Sequence, residues 1–412
     1  MDIFRKGLIL EILFLIVTVS IVSGLYSNVS SNSISTKGGN WLYVGGSGPG
    51  NYTRIQDAID NASDNDTIYV FDDASPYIES LIIDRKIYLI GENKTSTIVR
   101  QTDLTSDTIT ITSNNVTIQG FSIENNHSIW SGRCSIYGKD IKNILISNNI
   151  LSNGENGIYI SNGIETSDNH LIFENQFINC DTGILFRQSN NNQILNNSFF
   201  VHSCSINIHD SSNELIYYNE FRKGYYGIIL EGVKDSMVRK NTFLEIEWGM
   251  HLLFMYHRNI PNNIYIENNI MNHGGLGMKL EGTSMVYIFN NSISQNSIRP
   301  FYLMHASNTW ISHNNLELNA KTNFLIWESY NVEVTQNNIL EPRCLARYLH
   351  WVPLVNNIIF RGNYWNNSGR IKIIVGTIGI FHDDEDIWPR IRPCIKFDLN
   401  PAKEPYDIPG MS

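Results

Sequence analysis

From Ile144 onward the chain repeats one short pattern: an apolar residue, any residue, an apolar residue, two further positions, an asparagine, any residue, an apolar residue. Ile144-Leu145-Ile146 leads to Asn149 and Leu151, Ile216 to Asn219 and Phe221, Ile288 to Asn291 and Ile293, and Phe360 to Asn363 and Trp365. The asparagines so placed are Asn149, Asn175, Asn197, Asn219, Asn241, Asn269, Asn291, Asn314, Asn337 and Asn363, spaced 22 to 28 residues apart and most often 22. Each apolar run alternates over only two or three positions, the periodicity of very short strands and not of helix. Eight residues after the asparagine, Gly157, Gly183, Gly227, Gly249 and Gly277 each open a further alternating run, as in Gly227-Ile228-Ile229-Leu230. Three short strands and tight turns per repeat predict one coil of a parallel β-helix, and crossovers between parallel strands are right-handed in nearly all folds. The expected fold class is therefore all-β, a right-handed parallel β-helix with coils about 4.8 Å apart.

The recurrent asparagine is expected to take the left-handed conformation at the bend between two strands and to form an amide ladder from coil to coil. Thr53-Arg54-Ile55-Gln56 reads as a capping box that starts a short helix through about Asn61, closing the open end of the first coil. The chain divides into residues 1–26, a signal peptide or N-terminal membrane anchor; 40–107, an N-terminal cap with irregular first coils; 108–370, the regular β-helix; and 371–412, an apolar segment with a Pro-rich tail.

The first segment pairs Arg5 and Lys6 with an apolar run from Gly7 to Val22, followed by Ser23 and Gly24. Cleaved or kept as an anchor, it sends the rest of the chain out of the cytoplasm, giving an extracellular or cell-surface protein. A formal net charge of −10 without a basic cluster argues against a nucleic-acid partner. Cys134, Cys180, Cys204, Cys344 and Cys394 are odd in number and lack the spacing of a disulfide framework; Cys344 with Cys394 could staple the C-terminal end, and buried thiols are the alternative. Ten Asn-X-Ser/Thr sequons (Asn28, Asn51, Asn61, Asn65, Asn93, Asn115, Asn126, Asn196, Asn290, Asn366) are within what a composition this rich in Asn, Ser and Thr produces by chance.

Inward side chains fill such a core, so chemistry must sit on outward columns. On the first strand the outward positions run Leu145, Leu171, Gln193, Leu215, Met237, Tyr265, Tyr287, Trp310, Glu333 and Ile359, with Phe289 two residues along from Tyr287. A row of aromatic rings suits the apolar C–H faces of a sugar chain. The alternative is that Ile371 to Phe381, or a second subunit, covers this face. After the glycine the outward positions run Tyr159, Leu185, Asn207, Ile229, His251, Lys279 and Tyr302, and two residues further Ser161, Arg187, His209, Glu231, Leu253 and Glu281. Arg187, His209 with Asp210, and Glu231 on adjacent coils make candidate acid–base groups for sugar lyase, epimerase or hydrolase chemistry; Tyr302 and Lys279 join the aromatic residues as candidate carbohydrate contacts. A solvated ladder of compensating charges is the competing reading.

The asparagine repeat, the opening Tyr52-Thr53-Arg54-Ile55-Gln56-Asp57-Ala58-Ile59 and the closing Gly362-Asn363-Tyr364-Trp365 resemble NosD-like proteins, within the wider pectate-lyase-like group of carbohydrate-binding proteins and sugar hydrolases. The resemblance covers roughly residues 40 to 370 and specifies fold more than function. It implies a polysaccharide or glycoprotein glycan as partner, or a non-enzymatic accessory role in copper-centre assembly or transport; a structural surface-layer component is a third possibility. Copper directs attention to His251 and His257 beside Met250, Met255, Met271, His273 and Met278, although the methionines at 250, 271 and 278 stand where other coils carry core residues. Asp383-Asp384-Glu385-Asp386 after His382 could hold Ca²⁺ but lacks the alternation of a calcium loop.

Overall fold

The computed structural model describes residues 39–408 apart from Leu104 and residues 126–131, 164–166, 255–258, 320–321, 341–344, 350–356, 367–371 and 381–389. The N-terminal apolar run, Asn28, Asn126, Met255, His257, Cys344, His382 and the acidic run 383–386 lie outside the described residues, as does the side chain of Cys394.

Short alternating strands, each too small to bury a face alone, stack as a parallel solenoid with three faces. The first face is a 14-stranded sheet from Trp41–Val44 to Ile358–Arg361. The second runs from Tyr77–Ile78 to Tyr364–Trp365 and the third from Leu81–Ile83 to Leu345–Leu349. Three strands per coil is the rule, but two coils depart from it. Glu220–Glu231 and Thr242–Leu253 carry pairing through the bend between the second and third faces, Gly224 opposite Ile246 and Tyr226 opposite Trp248. These two strands join both faces into one 23-stranded sheet.

Inward positions form continuous apolar columns. Phe177, Phe199, Phe221 and Phe243 stack with centroids 4.6, 5.1 and 4.6 Å apart, and each buried ring contributes about 2 kcal/mol of apolar burial. This column explains the recurrent glycine. A β-carbon on Gly183 would lie 2.7 Å from Phe199 and 2.6 Å from the Ser205 carbonyl oxygen, so the third face approaches the phenylalanines only without one. Met250, Met271 and Met278 continue the interior, and Cys134, Cys180 and Cys204 are buried free thiols whose pKa values burial raises.

The asparagine ladder forms, but not from left-handed residues. The positive φ belongs to the position before each ladder asparagine: Asn148, Glu174, Asn196, Tyr218, Lys240, Asn268, Asn290, His313, Gln336 and Gly362. The ladder residue itself points inward and is buried, because its amide has three coils to serve. Asn219 Nδ2 donates to the Ile194 carbonyl of the preceding coil at 2.7 Å and to Asn241 Oδ1 of the next at 3.1 Å, and its backbone N–H also donates to Asn241 Oδ1 at 2.9 Å. After Asn363 the acceptor is a carboxylate. Asp398, fully buried, accepts from the Asn363 backbone N–H (3.0 Å), Asn363 Nδ2 (3.1 Å), Trp365 Nε1 (3.0 Å) and the Gly362 N–H (3.0 Å).

Asp398 ends an antiparallel hairpin, Lys372–Ile380 with Arg390–Asp398, that packs on Leu345–Leu349 and Ile358–Arg361 and seals the C-terminal end. At the other end a helix, Ile55–Asn61, lies over the first coils, but the capping box does not form. Glu79 instead reaches from a neighbouring coil and accepts from the Ile55 and Gln56 N–H groups at 2.8 and 3.0 Å. Gln56 is occupied elsewhere, pairing its amide with the backbone of Ile82.

Candidate functional site

Strand register places the third-face candidates as the repeat predicts. Arg187, His209 and Glu231 are successive partners in one outward column, and Leu253 and Glu281 follow. His209 Nδ1 contacts Glu231 Oε2 at 2.7 Å, with both side chains largely buried. Arg187 does not join them; it is exposed, and its guanidinium lies 5.8 Å over the Tyr159 ring. Asp210 occupies the following bend with φ of 49°, and its carboxylate overlies Gly232 of the next coil, where a β-carbon would meet Oδ1 at 2.7 Å.

The neighbouring column, two residues back, runs Ile229, His251, Lys279 and Tyr302. Lys279 donates to Glu281 Oε2 at 2.6 Å, and His251 Nε2 approaches the same oxygen at 3.3 Å. Burial, aided by the Lys279 charge, depresses His251 to about 4, so the imidazole is neutral at pH 7. Burial works to raise Glu281, but the hydrogen bond from Lys279 and its charge outweigh it and hold the carboxyl below its ordinary value.

A third column, at the position just before the recurrent glycine, supplies Tyr226 and Trp248. The Trp248 ring is tilted 60° to Tyr226 at 5.6 Å and 46° to His251 at 5.8 Å. The Lys279 ammonium lies 5.6 Å from both the Trp248 and Tyr302 rings, and Arg299 sits 5.7 Å over Tyr302. Tyr225, on the opened bend, adds an exposed ring 6.4 Å from Trp248. The result is an outward patch of tilted aromatic rings around one cation, one carboxylate and one neutral imidazole. Tyr225, Tyr226 and Trp248 are absent from the outward columns singled out in the sequence; the same register, read one residue before each glycine, locates the last two.

On the first face, Tyr265, Tyr287 and Trp310 also align. Their centroids are 4.7 Å apart in both steps, and the ring planes lie within 9° and 6° of parallel. Rings packed this way cover one another's faces and turn their edges to water. Phe289 stands in the adjacent column after Glu267, whose carboxylate meets Arg239 at 2.8 Å. Among the described residues the C-terminal hairpin does not lie on this column: it packs on Leu345–Leu349 and Ile358–Arg361 at the end of the solenoid, and the three rings are half-buried; Ile371 and Phe381, the ends of the segment expected to cover them, lie outside the described residues.

The sequence model described as "Right handed beta helix region" matches residues 49–221 and 107–254, together 49–254 and half of the 412 residues. The chain belongs to the right-handed β-helix family. Within that family it is NosD-like, because the model described as "Periplasmic copper-binding protein (NosD)" matches residues 201–377. A cell surface glycoprotein of Methanothermus fervidus is 26% identical over 149 residues, 36% of this chain; the β-helix chain spans about a fifth of that relative's length (21%). Among solved structures, the Dettilon tailspike protein is similar at 12% identity over 82% of this chain and 73% of that one, with a TM-score of 0.48. The N-terminal fragment of bacteriophage Phi29 gene product 12 has 13% identity, coverage of 71% and 66%, and a TM-score of 0.49. DFA-IIIase from Arthrobacter chlorophenolicus A6 has 13% identity, coverage of 69% and 83%, and a TM-score of 0.48.

The described donors of this β-helix do not converge on a copper site. Met250 and Met278 face the core, while His251 points outward between Tyr226 and Trp248 with Nε2 on Glu281, so thioether and imidazole do not converge. Among the described residues no group of three His, Cys, Asp or Glu is placed to hold a metal ion. His257, the other proposed ligand, is outside them. Nor is any helix among the described residues long and apolar enough to cross a membrane.

Proposed function

We propose that this β-helix protein acts at the cell surface and binds glycan chains across its third face, with Trp248 and Tyr226 as the stacking platform. The observation that carries this reading is the tilt of those rings around Lys279. Sugar C–H faces need accessible ring faces, and hydroxyls or acidic substituents need a fixed donor beside them. Lys279, held by Glu281, supplies the donor. The likeness to a cell surface glycoprotein and to a periplasmic family supports the location. His209 with Glu231 is an imidazole–carboxylate pair on the same face, and catalysis there is the finer form of the proposal, with Arg187 and Asp210 at its margin.

Glycan-array binding of the exported chain tests this reading, with Trp248→Ala and Trp310→Ala alongside. Selective binding lost only in Trp248→Ala supports it. Binding lost only in Trp310→Ala would move the site to the first face, and no binding by any folded form would end the proposal.

The NosD match over residues 201–377 favours one second reading, an accessory role in copper handling. It predicts stoichiometric Cu(I) binding that disappears when His251 and His257 are both replaced; equal binding by that variant would exclude these two ligands.

A further inference from the structure

The ten sequons are equivalent as sequence, and the fold makes them unequal. On a folded chain, N-glycosylation needs an asparagine whose Nδ2 is accessible, in a segment free to leave the surface and enter a transferase, with the hydroxyl residue at the third position. In four sequons that hydroxyl residue is built into a parallel sheet. Thr67, Thr117, Ser198 and Ser292, the third residues of the Asn65, Asn115, Asn196 and Asn290 sequons, donate their backbone N–H to the preceding coil at 2.9, 3.0, 2.9 and 2.9 Å. For Asn196 and Asn290 the middle residue is a ladder asparagine, Asn197 or Asn291, so engaging either sequon would unzip the core. Three other sequons have a committed amide nitrogen: Asn51 Nδ2 donates to the Gly45 carbonyl at 2.6 Å, Asn61 Nδ2 to Asp57 at 2.8 Å, and Asn366 Nδ2 to Leu340 at 3.1 Å. Asn28 and Asn126 lie outside the described residues.

Asn93 differs from all of these. It is exposed on the loop between the strands Tyr88–Gly91 and Ile98–Arg100. Its Oδ1 accepts from the Thr95 N–H at 3.0 Å and from the Thr95 hydroxyl at 2.9 Å, joining the first and third residues of the sequon in one local turn. Its Nδ2 makes no hydrogen bond to any described residue and faces water. The turn is closed by local bonds, Ser96 and Thr97 N–H to the Asn93 carbonyl at 3.0 and 2.7 Å, and tied to the neighbouring coil by the Ser96 hydroxyl on Asp72 at 2.6 Å; lifting residues 93–95 breaks no bond of the parallel sheets.

We infer that Asn93 is the N-glycan acceptor that the folded solenoid offers among its described sequons, for a saccharide carried on a polyprenyl phosphate or pyrophosphate. In the transfer, Nδ2 attacks the anomeric carbon, the N–C bond forms, and the C–O bond to the phosphate breaks with its electron pair leaving on the phosphate. One Nδ2 proton passes to a base of the transferase. No redox partner is needed.

The test is mass spectrometry of sequon peptides from the full chain, recovered from cells that export it and that N-glycosylate their other exported proteins. Glycan mass is expected on the peptide holding Asn93, and the peptides holding Asn65, Asn196 and Asn290 should be bare. Thr95→Val should abolish the modification and Thr95→Ser retain it, while circular dichroism and the unfolding midpoint stay unchanged. Unfolded chain offered to the same membranes should gain glycan at the sheet-bound sequons. A bare Asn93 peptide in such cells would overturn the inference, and so would equal occupancy of Asn196 or Asn290 in the folded protein.

Discussion

The first and third faces both carry aromatic side chains at outward positions of successive coils, yet they present different chemistry. Tyr265, Tyr287 and Trp310 are in strict register and nearly parallel, so each ring hides its neighbour's face. Tyr226 and Trp248 are also register partners, but tilted by 60°, with Lys279 and His251 against the indole. Identical residue types one coil apart thus give a column of parallel rings in one place and a tilted pair in the other, with the rings of both partly buried. What separates them is the company: the stacked column has ring above ring, whereas beyond Trp248 the next residue in its own column is Leu276, and the charged cluster lies beside it.

Acid should give the largest effect. The folded pKa of His251 is about 4, below the ordinary 6.5, so the fold prefers the neutral imidazole. The unfolded chain takes up its proton first; the stabilisation is complete above pH 6.5 and is lost as pH falls towards 4, by about 3 kcal/mol at the limit. His170, buried at the bend before the first-face strand Leu171–Phe173 with its ring 6.0 Å from Phe186, is depressed to about 4 by the same cause and titrates in the same window. Denaturant unfolding of the wild type and His251→Leu across this range isolates the third-face share; identical pH profiles would show that His251 contributes nothing.

Next in size is the platform. Trp248→Ala should cost about 2 kcal/mol of glycan affinity, roughly 30-fold, by titration calorimetry on an array-selected ligand. A smaller effect is expected from Trp310→Ala, which removes one stacked partner and should lower unfolding stability by about 1 kcal/mol with affinity unchanged. If that variant instead loses affinity and keeps its stability, the contrast between the faces is inverted.

Alkali gives the smallest effect and acts on both faces, since burial also raises the Tyr226 and Tyr302 phenols of the third face. Burial raises the Tyr265 and Tyr287 phenols above 10, so their contribution is full below the unfolded value and fades as pH rises through the folded one. Ultraviolet titration should find these two phenols ionising above the ordinary tyrosine value, and Trp310→Ala should bring Tyr287 forward.

Much of this architecture was legible because a solenoid converts sequence spacing directly into neighbours. Once Asn149, Asn175 and their successors set the register, the pairing of Arg187 with His209 and of His209 with Glu231 followed. Ring tilt did not follow, since it depends on side-chain packing that spacing leaves open. Nor did the two end seals: Glu79 and Asp398 act 24 and 35 residues from the groups they cap, outside any repeat. The left-handed positions lie one residue before the ladder asparagines and are hidden in the sequence because glutamate, tyrosine and lysine hold several of them, residues that do not advertise positive φ.

The seal at Asp398 also gives the solenoid a sense of direction. Every ladder asparagine receives bonds at Oδ1 from the coil before it and sends its backbone N–H to the coil after it, so the row is polar and its donor end faces the C-terminal hairpin. A negative group is the natural terminator for aligned donors, as at the start of a helix. Whole coils can therefore be added or removed between Asn149 and Asn363 without disturbing the termination, and the length of the rod is free to vary. Its stop is not: one carboxylate, carried on a hairpin outside the repeat, defines which coil is last.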